Sequence, residues 1–238
     1  MAEKGKLYMI PCPISDSTAV YDVVPQANGR VIDELDYFIV ENVRSARRFL
    51  SKAGISRKID ELEFVELNEH TVAGAAVEAM IKPILEGCSA GVISEAGVPG
   101  VADPGALVVE ACHHKGIRVI PLVGPSSILL AMMASGLNGQ SFAFNGYLPV
   151  KPAERAKAIK SLERRAFQER QSQIFIEAPY RNVKLAEQLL AVCGAETKLT
   201  IACDITSPEE IIVTRTVASW RRSSLPDIAK RPTIFIIG

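Results

Sequence analysis

The chain has 238 residues, 48% hydrophobic, 23% charged and 6% aromatic, with 27 Lys+Arg balanced by 27 Asp+Glu. Apolar content at that level excludes an intrinsically disordered chain, and a net charge of zero gives no global attraction to nucleic acid or to an anionic membrane. The length allows one large domain or two of about 100–150 residues each.

Short apolar runs alternate with helix-like segments, the pattern of an α/β fold whose first half is a mostly parallel sheet. Leu7–Pro11 reads as a first strand and Asp36–Glu41 as a second, followed by a basic helical segment over Ser45–Ala53. Leu62–Leu67 is a third strand, Val72–Glu86 a helix that Pro83 should kink or shorten, and Ala90–Ser94 a buried strand. Asp103 then stands as a helix N-cap with Pro104 at the first helical position, and His113, His114 and Lys115 fill the last turn before Gly116 closes it. Ile117–Leu122 returns as a strand and completes a βαβ unit.

The second half reads as a helix over Ser126–Ser135, a strand over Phe142–Gly146, a charged helix over Ala153–Gln168 and a strand over Gln173–Glu177. A helix over Asn182–Cys193, closed by Gly194, comes next. From Lys198 the pattern changes: Leu199–Asp204, Glu210–Val217 and Thr233–Ile237 are strands with no long helix between them, which predicts an antiparallel addition to a mixed sheet. The expected division is an N-terminal domain over 1–122 and a C-terminal one over 123–238. Across it lies Val119–Val150, 32 residues without one charged side chain. Gly124, Pro125, Ser126, Gly136 and Asn138 break this stretch, so it offers no membrane span of about 20 apolar residues.

Five scattered cysteines (Cys12, Cys88, Cys112, Cys193, Cys203) lack metal-binding spacing and read as free thiols in a reducing compartment. The apolar run Leu7–Ile10 is too short for a signal peptide, so a cytoplasmic protein is expected, with no metal and no membrane partner. No G-x-x-x-x-G-K-[ST], no G-x-G-x-x-G after the first strand, no G-x-S-x-G and no H-E-x-x-H occurs. His113 and His114 read as a solvated helix end.

Three Gly/Pro/Ser turns at strand ends are the features that could hold a ligand: Ile10–Ser15, Glu95–Gly105 and Val123–Ser127. Ligands of open α/β sheets bind outside the carboxyl ends of strands. Glycine there admits a close backbone approach, and the helix start at Ser126-Ser127 offers N–H groups and hydroxyls.

These segments, with Glu41-Asn42-Val43-Arg44, Phe144-Asn145-Gly146-Tyr147-Leu148-Pro149 and Glu177…Tyr180-Arg181, fall in order along the chain. In that order the sequence resembles the S-adenosylmethionine-dependent tetrapyrrole methylase superfamily, and within it the small-subunit ribosomal RNA cytidine 2′-O-methyltransferase branch. The resemblance covers essentially the whole chain. It implies a two-domain tetrapyrrole-methylase-like α/β fold, S-adenosylmethionine in a cleft between the domains, and a homodimer acting on ribosomal RNA or the small ribosomal subunit. Residue by residue it implies that Pro13, Ala96, Gly97, Val98, Val101, Ser126, Ser127, Glu177, Ile205, Pro232 and Thr233 bind the cofactor. Glu41, Arg44, Glu95 and Glu177 are the catalytic candidates, with Asp204 a further carboxylate near a strand end.

The chain departs from the branch's pattern at Pro13-Ile14-Ser15-Asp16, Glu41-Asn42-Val43-Arg44, Glu95-Ala96-Gly97-Val98-Pro99 and Asp204-Ile205-Thr206-Ser207. Two alternatives therefore stay open: a methylase of a tetrapyrrole or another small molecule, and a non-catalytic cofactor-binding homologue. The uncharged stretch Val119–Val150 fits either a low-polarity cleft and dimer core or simple core burial. Charge is clustered locally. Arg44–Lys58 holds six basic and no acidic residues, and Lys151–Arg170 holds seven basic and three acidic, so either segment could meet phosphates or propionates.

Overall fold

A computed structural model of the chain describes residues 3–67 and 74–238, and these form two compact units, Met1–Ser126 and Ser127–Gly238. The division falls inside the uncharged stretch. The start of the helix expected from Val72 lies outside the described residues, as do Met1 and Ala2 at the head of the expected N-terminus.

The first unit runs β1 (Lys6–Ile10), α1 (Val20–Val23), α2 (Gln26–Asp33), β2 (Tyr37–Val40), α3 (Val43–Ala53), β3 (Glu63–Glu66), α4 (Ala75–Leu85), β4 (Ala90–Ile93), α5 (Gly105–His114) and β5 (Arg118–Pro121). Its five strands are all parallel, in the order β3-β2-β4-β1-β5. The inner strands β2 and β4 are buried at every position, as a sheet covered on both faces requires. Leu7, Ile39 and Val92 pack on one face against Ile81 and Ile84 of α4 and Val108 of α5. Ile10, Phe38 and Ile93 pack on the other against Ile32 of α2 and Phe49 and Leu50 of α3. Full burial of side chains this size stabilises by about 1.5–3 kcal/mol each.

Local chemistry sets the helix ends. The Asp103 carboxylate accepts from the amides of Gly100 (2.9 Å) and Gly105 (2.7 Å), so the expected cap is made although the regular helix starts at Gly105. At the other end Ile117 N donates to Cys112 O (2.8 Å) and Gly116 N to His113 O (3.1 Å), the paired bonds of a left-handed glycine cap. Asn42 caps α3 through Ser45 N at 3.1 Å. Pro83 falls in the last turn of α4, which continues to Leu85. One expectation is corrected. Gly194 does not close its helix, which stops at an extended Cys193 while the Gly194 amide is taken by Glu163.

The second unit runs α6 (Ser127–Ser135), β6 (Phe142–Tyr147), α7 (Pro152–Gln168), β7 (Ser172–Ile176), α8 (Asn182–Val192), β8 (Lys198–Cys203), β9 (Ile211–Thr216), α9 (Val217–Trp220) and β10 (Thr233–Ile237). The sheet order is β6-β7-β10-β8-β9, parallel between β6 and β7 and antiparallel elsewhere. This is the mixed sheet expected from the change of pattern after Lys198. One face is covered by α7 and α8 through Ile159, Leu162, Leu185 and Leu189, the other by Ala131 and Met132 of α6.

The uncharged stretch is not simply core. Val123, Leu129, Met133, Tyr147 and Val150 are all exposed, Met133 to 78%. A helix apolar on every side, as α6 is, normally has every side covered. Among the described residues no helix is long and apolar enough to cross a membrane.

Candidate active site

The parallel sheet puts the carboxyl ends of β1, β2, β4 and β5 along one edge, and the three turn-rich loops leave from three of them. They meet there. Cys12 N donates to Gly97 O (2.8 Å), which joins the first loop to the second. Gly97 has φ of +69°, and a Cβ at that position would lie 3.5 Å from Pro125 O of the third loop. Gly124 lies against Pro11 so closely that a Cβ would sit 2.3 Å from its ring, so any side chain there pushes the first and third loops apart. Asn28 of α2, itself buried, donates to Val123 O at 2.8 Å and holds the third loop from behind. Pro13, Ala96, Gly97, Val98, Val101 and Ser126 are thus carried by one cluster of loops. Ala96 and Val101 are exposed along it.

Two of the candidate carboxylates are neighbours on the same edge. Glu41 follows β2, and its Oε2 accepts from Glu95 N at 3.3 Å. Glu95 follows β4, is exposed, and its Oε1 accepts from Ser45 Oγ at 3.3 Å. A small cavity beside them is lined by Pro13, Ser94, Glu95, Arg48 and Lys52 among others. Arg44 is exposed on the first turn of α3 and makes no salt bridge among the described residues. Ser45 is a participant the sequence reading missed, although the capping pair Asn42…Ser45 marks it. Cys12, buried next to this edge, has its thiol pushed up to about 12 by burial, so it stays protonated near neutral pH.

In the second unit Glu177, Ile205, Pro232 and Thr233 share the edge formed by the ends of β7 and β8 and the start of β10. Ser127 starts α6. Glu177 follows β7 and is fully buried; its Oε1 accepts from Ala178 N (2.7 Å) and from Arg181 Nε and Nη2 (2.9 and 2.6 Å). Its Oε2 lies 3.8 Å from the buried Arg155 of α7 and takes no hydrogen bond among the described residues. Asn182 Oδ1, also buried, is likewise without a donor. Asp204 N donates to Pro232 O (3.0 Å) and the Asp204 carboxylate holds Arg231 at 2.7 Å, which fixes Ile205, Pro232 and Thr233 together. The guanidinium of Arg181 is raised above its ordinary range chiefly by the Glu177 hydrogen bonds. The triad Arg155–Glu177–Arg181 was not legible in sequence, since only folding brings α7 to Glu177.

The basic segment from Arg44 to Lys58 reads differently once folded. Asp60 holds Arg47, Asp16 lies 3.6 Å from both Arg48 and Lys52, Asp36 holds Arg57, and Glu61 lies 3.3 Å from Lys58. Five of the six cations pair with carboxylates from outside the segment, four carboxylates in all, since Asp16 is shared by Arg48 and Lys52.

This α/β fold, one parallel and one mixed sheet with loops gathered at strand ends, is also seen in solved structures. The methyltransferase CobJ aligns over 98% of this chain and 94% of its own with a TM-score of 0.63 at 20% identity. Uroporphyrin-III-C-methyltransferase from Thermus thermophilus aligns over 98% and 92% with a TM-score of 0.54 at 19% identity. These likenesses establish the tetrapyrrole-methylase fold. No family profile matches the chain. The ribosomal RNA small subunit methyltransferase I of Xylella fastidiosa is 30% identical over 237 residues, which is 100% of this chain and 82% of that protein. The chain belongs to the ribosomal RNA small subunit methyltransferase I family and is a methyltransferase.

Proposed function

We propose that this chain transfers the methyl group of S-adenosylmethionine to a ribose 2′-hydroxyl of small-subunit ribosomal RNA. The observation that carries the reading is the meeting of three loops beside the Glu41–Glu95 pair at one sheet edge.

The residues present fit the cofactor. Pro13, Ala96, Gly97, Val98, Val101 and Ser126 offer backbone amides and carbonyls with exposed apolar side chains between them, suited to a thioether chain and a ribose. In the second unit Pro232 is exposed and Ser127 half-buried, whereas Ile205 and Thr233 are buried and the Thr233 hydroxyl already donates to Arg231 O at 2.9 Å, so the fit rests on the loops of the first unit. S-adenosylmethionine supplies a methyl group on a sulfonium, and a low-polarity surrounding disfavours that charge relative to the neutral product. The uncharged loop 121–126 suits such surroundings.

The protein must also take the proton of the attacking hydroxyl. Glu95 suits this role: it is exposed, and its Oε1 accepts from Ser45 Oγ at 3.3 Å. Glu41 orients it by holding its amide. Glu177 Oε1 is already occupied by three donors, which suits a positioning role for Arg181 rather than proton transfer. Arg44 is available to hold a phosphate bidentately. We place the protein in the cytoplasm, in keeping with five unbridged cysteines, and assign it a homodimer in which a second copy covers the exposed apolar side chains of Leu129 and Met133 on α6.

Calorimetry with S-adenosylmethionine and ribose-methylation mapping of ribosomal RNA from a deletion strain test the reading. Binding together with one lost 2′-O-methyl mark is expected; an unchanged map contradicts the assigned acceptor. Glu95→Gln should lower kcat by about 10²–10⁴-fold with cofactor affinity unchanged, the range for removal of a general base.

A further inference from the structure

We propose that the outer face of α7 and the cavity at its C-terminal end form a second surface for single-stranded RNA, separate from the residues assigned to the reaction. The proposal rests on RNA being the substrate.

The helix is two-sided. Arg155, Ile159, Leu162 and Ala166 are buried, whereas Lys157, Lys160, Arg164 and Phe167 are exposed. At about 100° and 1.5 Å per residue these four fall within an arc of about 80° over about 15 Å of axis, a single stripe. The carboxylates of the segment are engaged elsewhere. Glu154 pairs with Lys151 at 3.3 Å, Glu169 with Arg165 at 3.5 Å, and Glu163 accepts from Gly194 N and Thr197. Lys157, Lys160 and Arg164 make no salt bridge among the described residues.

The stripe ends on Phe167, an aromatic ring 55% exposed. Beyond it the chain turns through Arg170 at φ of +50° into an open cavity of about 440 Å³, lined by Phe167, Leu137, Asn138, Arg170, Glu196 and Lys198. Phe167 and Leu137 give an apolar wall for an unstacked base, and Arg170 and Lys198 outnumber the one lining carboxylate side chain, Glu196. A row of cations leading to an exposed aromatic is the arrangement that tracks a phosphate backbone and stacks its bases. A membrane surface fits poorly, since the exposed face carries one large apolar side chain and cannot sink an apolar stripe into lipid.

Fluorescence anisotropy with a short labelled single-stranded oligoribonucleotide, over a series of salt concentrations, tests this on the full chain. Replacing Lys157, Lys160 and Arg164 together by Ala should flatten the slope of log K against log salt by about 2 and weaken binding on the order of 100-fold near 0.1 M salt, at about 0.7 per phosphate contact. Phe167→Ala should weaken binding about tenfold and leave the slope unchanged, because stacking releases no counterions. All four side chains are exposed, and thermal melts of both variants matching the parent show that the fold is kept. Wild-type affinity and slope in both variants overturn the proposal, as does tighter binding of the parent to anionic vesicles than to RNA. Methyl incorporation separates the two readings. A parent chain that binds S-adenosylmethionine but labels no RNA contradicts the proposed acceptor, whereas RNA labelling with unchanged binding in the triple variant contradicts the α7 surface alone.

Discussion

On α3 and the turn after it, five of six cations meet carboxylates that the chain brings in from Asp16, Asp36, Asp60 and Glu61. On α7, the cations divide by face: Arg155 is buried against Glu177, Lys151 and Arg165 pair within the helix, and Lys157, Lys160 and Arg164 face solvent without a salt bridge. The two segments look alike in a count of charges along the sequence. In space one is largely cancelled and the other is left open, so a basic run marks an anion-binding surface only when the fold supplies no nearby acid.

The sharpest way to break the comparison is at the inner anchor of α7. Glu177→Ala leaves Arg155 buried with its charge uncompensated, and removing one partner of a buried pair costs about 3–5 kcal/mol. Denaturant unfolding should show a loss of that size, and a loss below about 1 kcal/mol would mean that the pair is not an anchor. Asn42→Ala removes the cap of α3 and should cost about 1 kcal/mol in the same measurement, leaving the ion pairs in place. Replacing Arg47, Arg48 and Lys52 together by Ala should weaken single-stranded RNA binding by less than about tenfold, because Asp16 and Asp60 already compensate two of the three charges. A loss matching that of the α7 triple variant would erase the distinction between the two helices.

The smallest effect concerns pH. Asp33 holds the residue after the α3 cap region, accepting from both the amide and the hydroxyl of Ser56 at 2.7 Å, and these bonds lower its pKa below the ordinary carboxylate value. A carboxyl depressed in the folded state contributes stability that is present above its unfolded pKa and lost as pH falls through the folded one. Asp33→Asn should therefore flatten the acid limb of stability against pH, while stability near neutral pH follows only the lost hydrogen bonds. An acid limb identical to the parent's would show that Asp33 does not contribute to it.

Much of the fold was legible because its signals are local. Every long strand appears as an apolar run, and the Asp103-Pro104 start and Gly116 end of α5 are written in adjacent residues. The segment from Val20 to Asp33 was not, since Pro25, Asn28 and Gly29 interrupt any helical period; Asn28 is buried there because its side chain reaches Val123, 95 residues away. The loops of the candidate site were legible as glycine and proline at strand ends. Their meeting was not, because it depends on β1 lying between β4 and β5 in the sheet. The neutralisation of α3 was hidden for the same reason: Asp16, Asp36 and Asp60 lie outside the run they cancel.

The most direct test of the account is transfer itself. The purified chain is incubated with methyl-tritiated S-adenosylmethionine and small ribosomal subunits from a strain lacking the gene. The account predicts tritium in the RNA, resistant to alkali at one nucleotide linkage as a 2′-O-methyl ribose must be, and lost in the Glu95→Gln protein. Unlabelled RNA from a chain that binds the cofactor would contradict it.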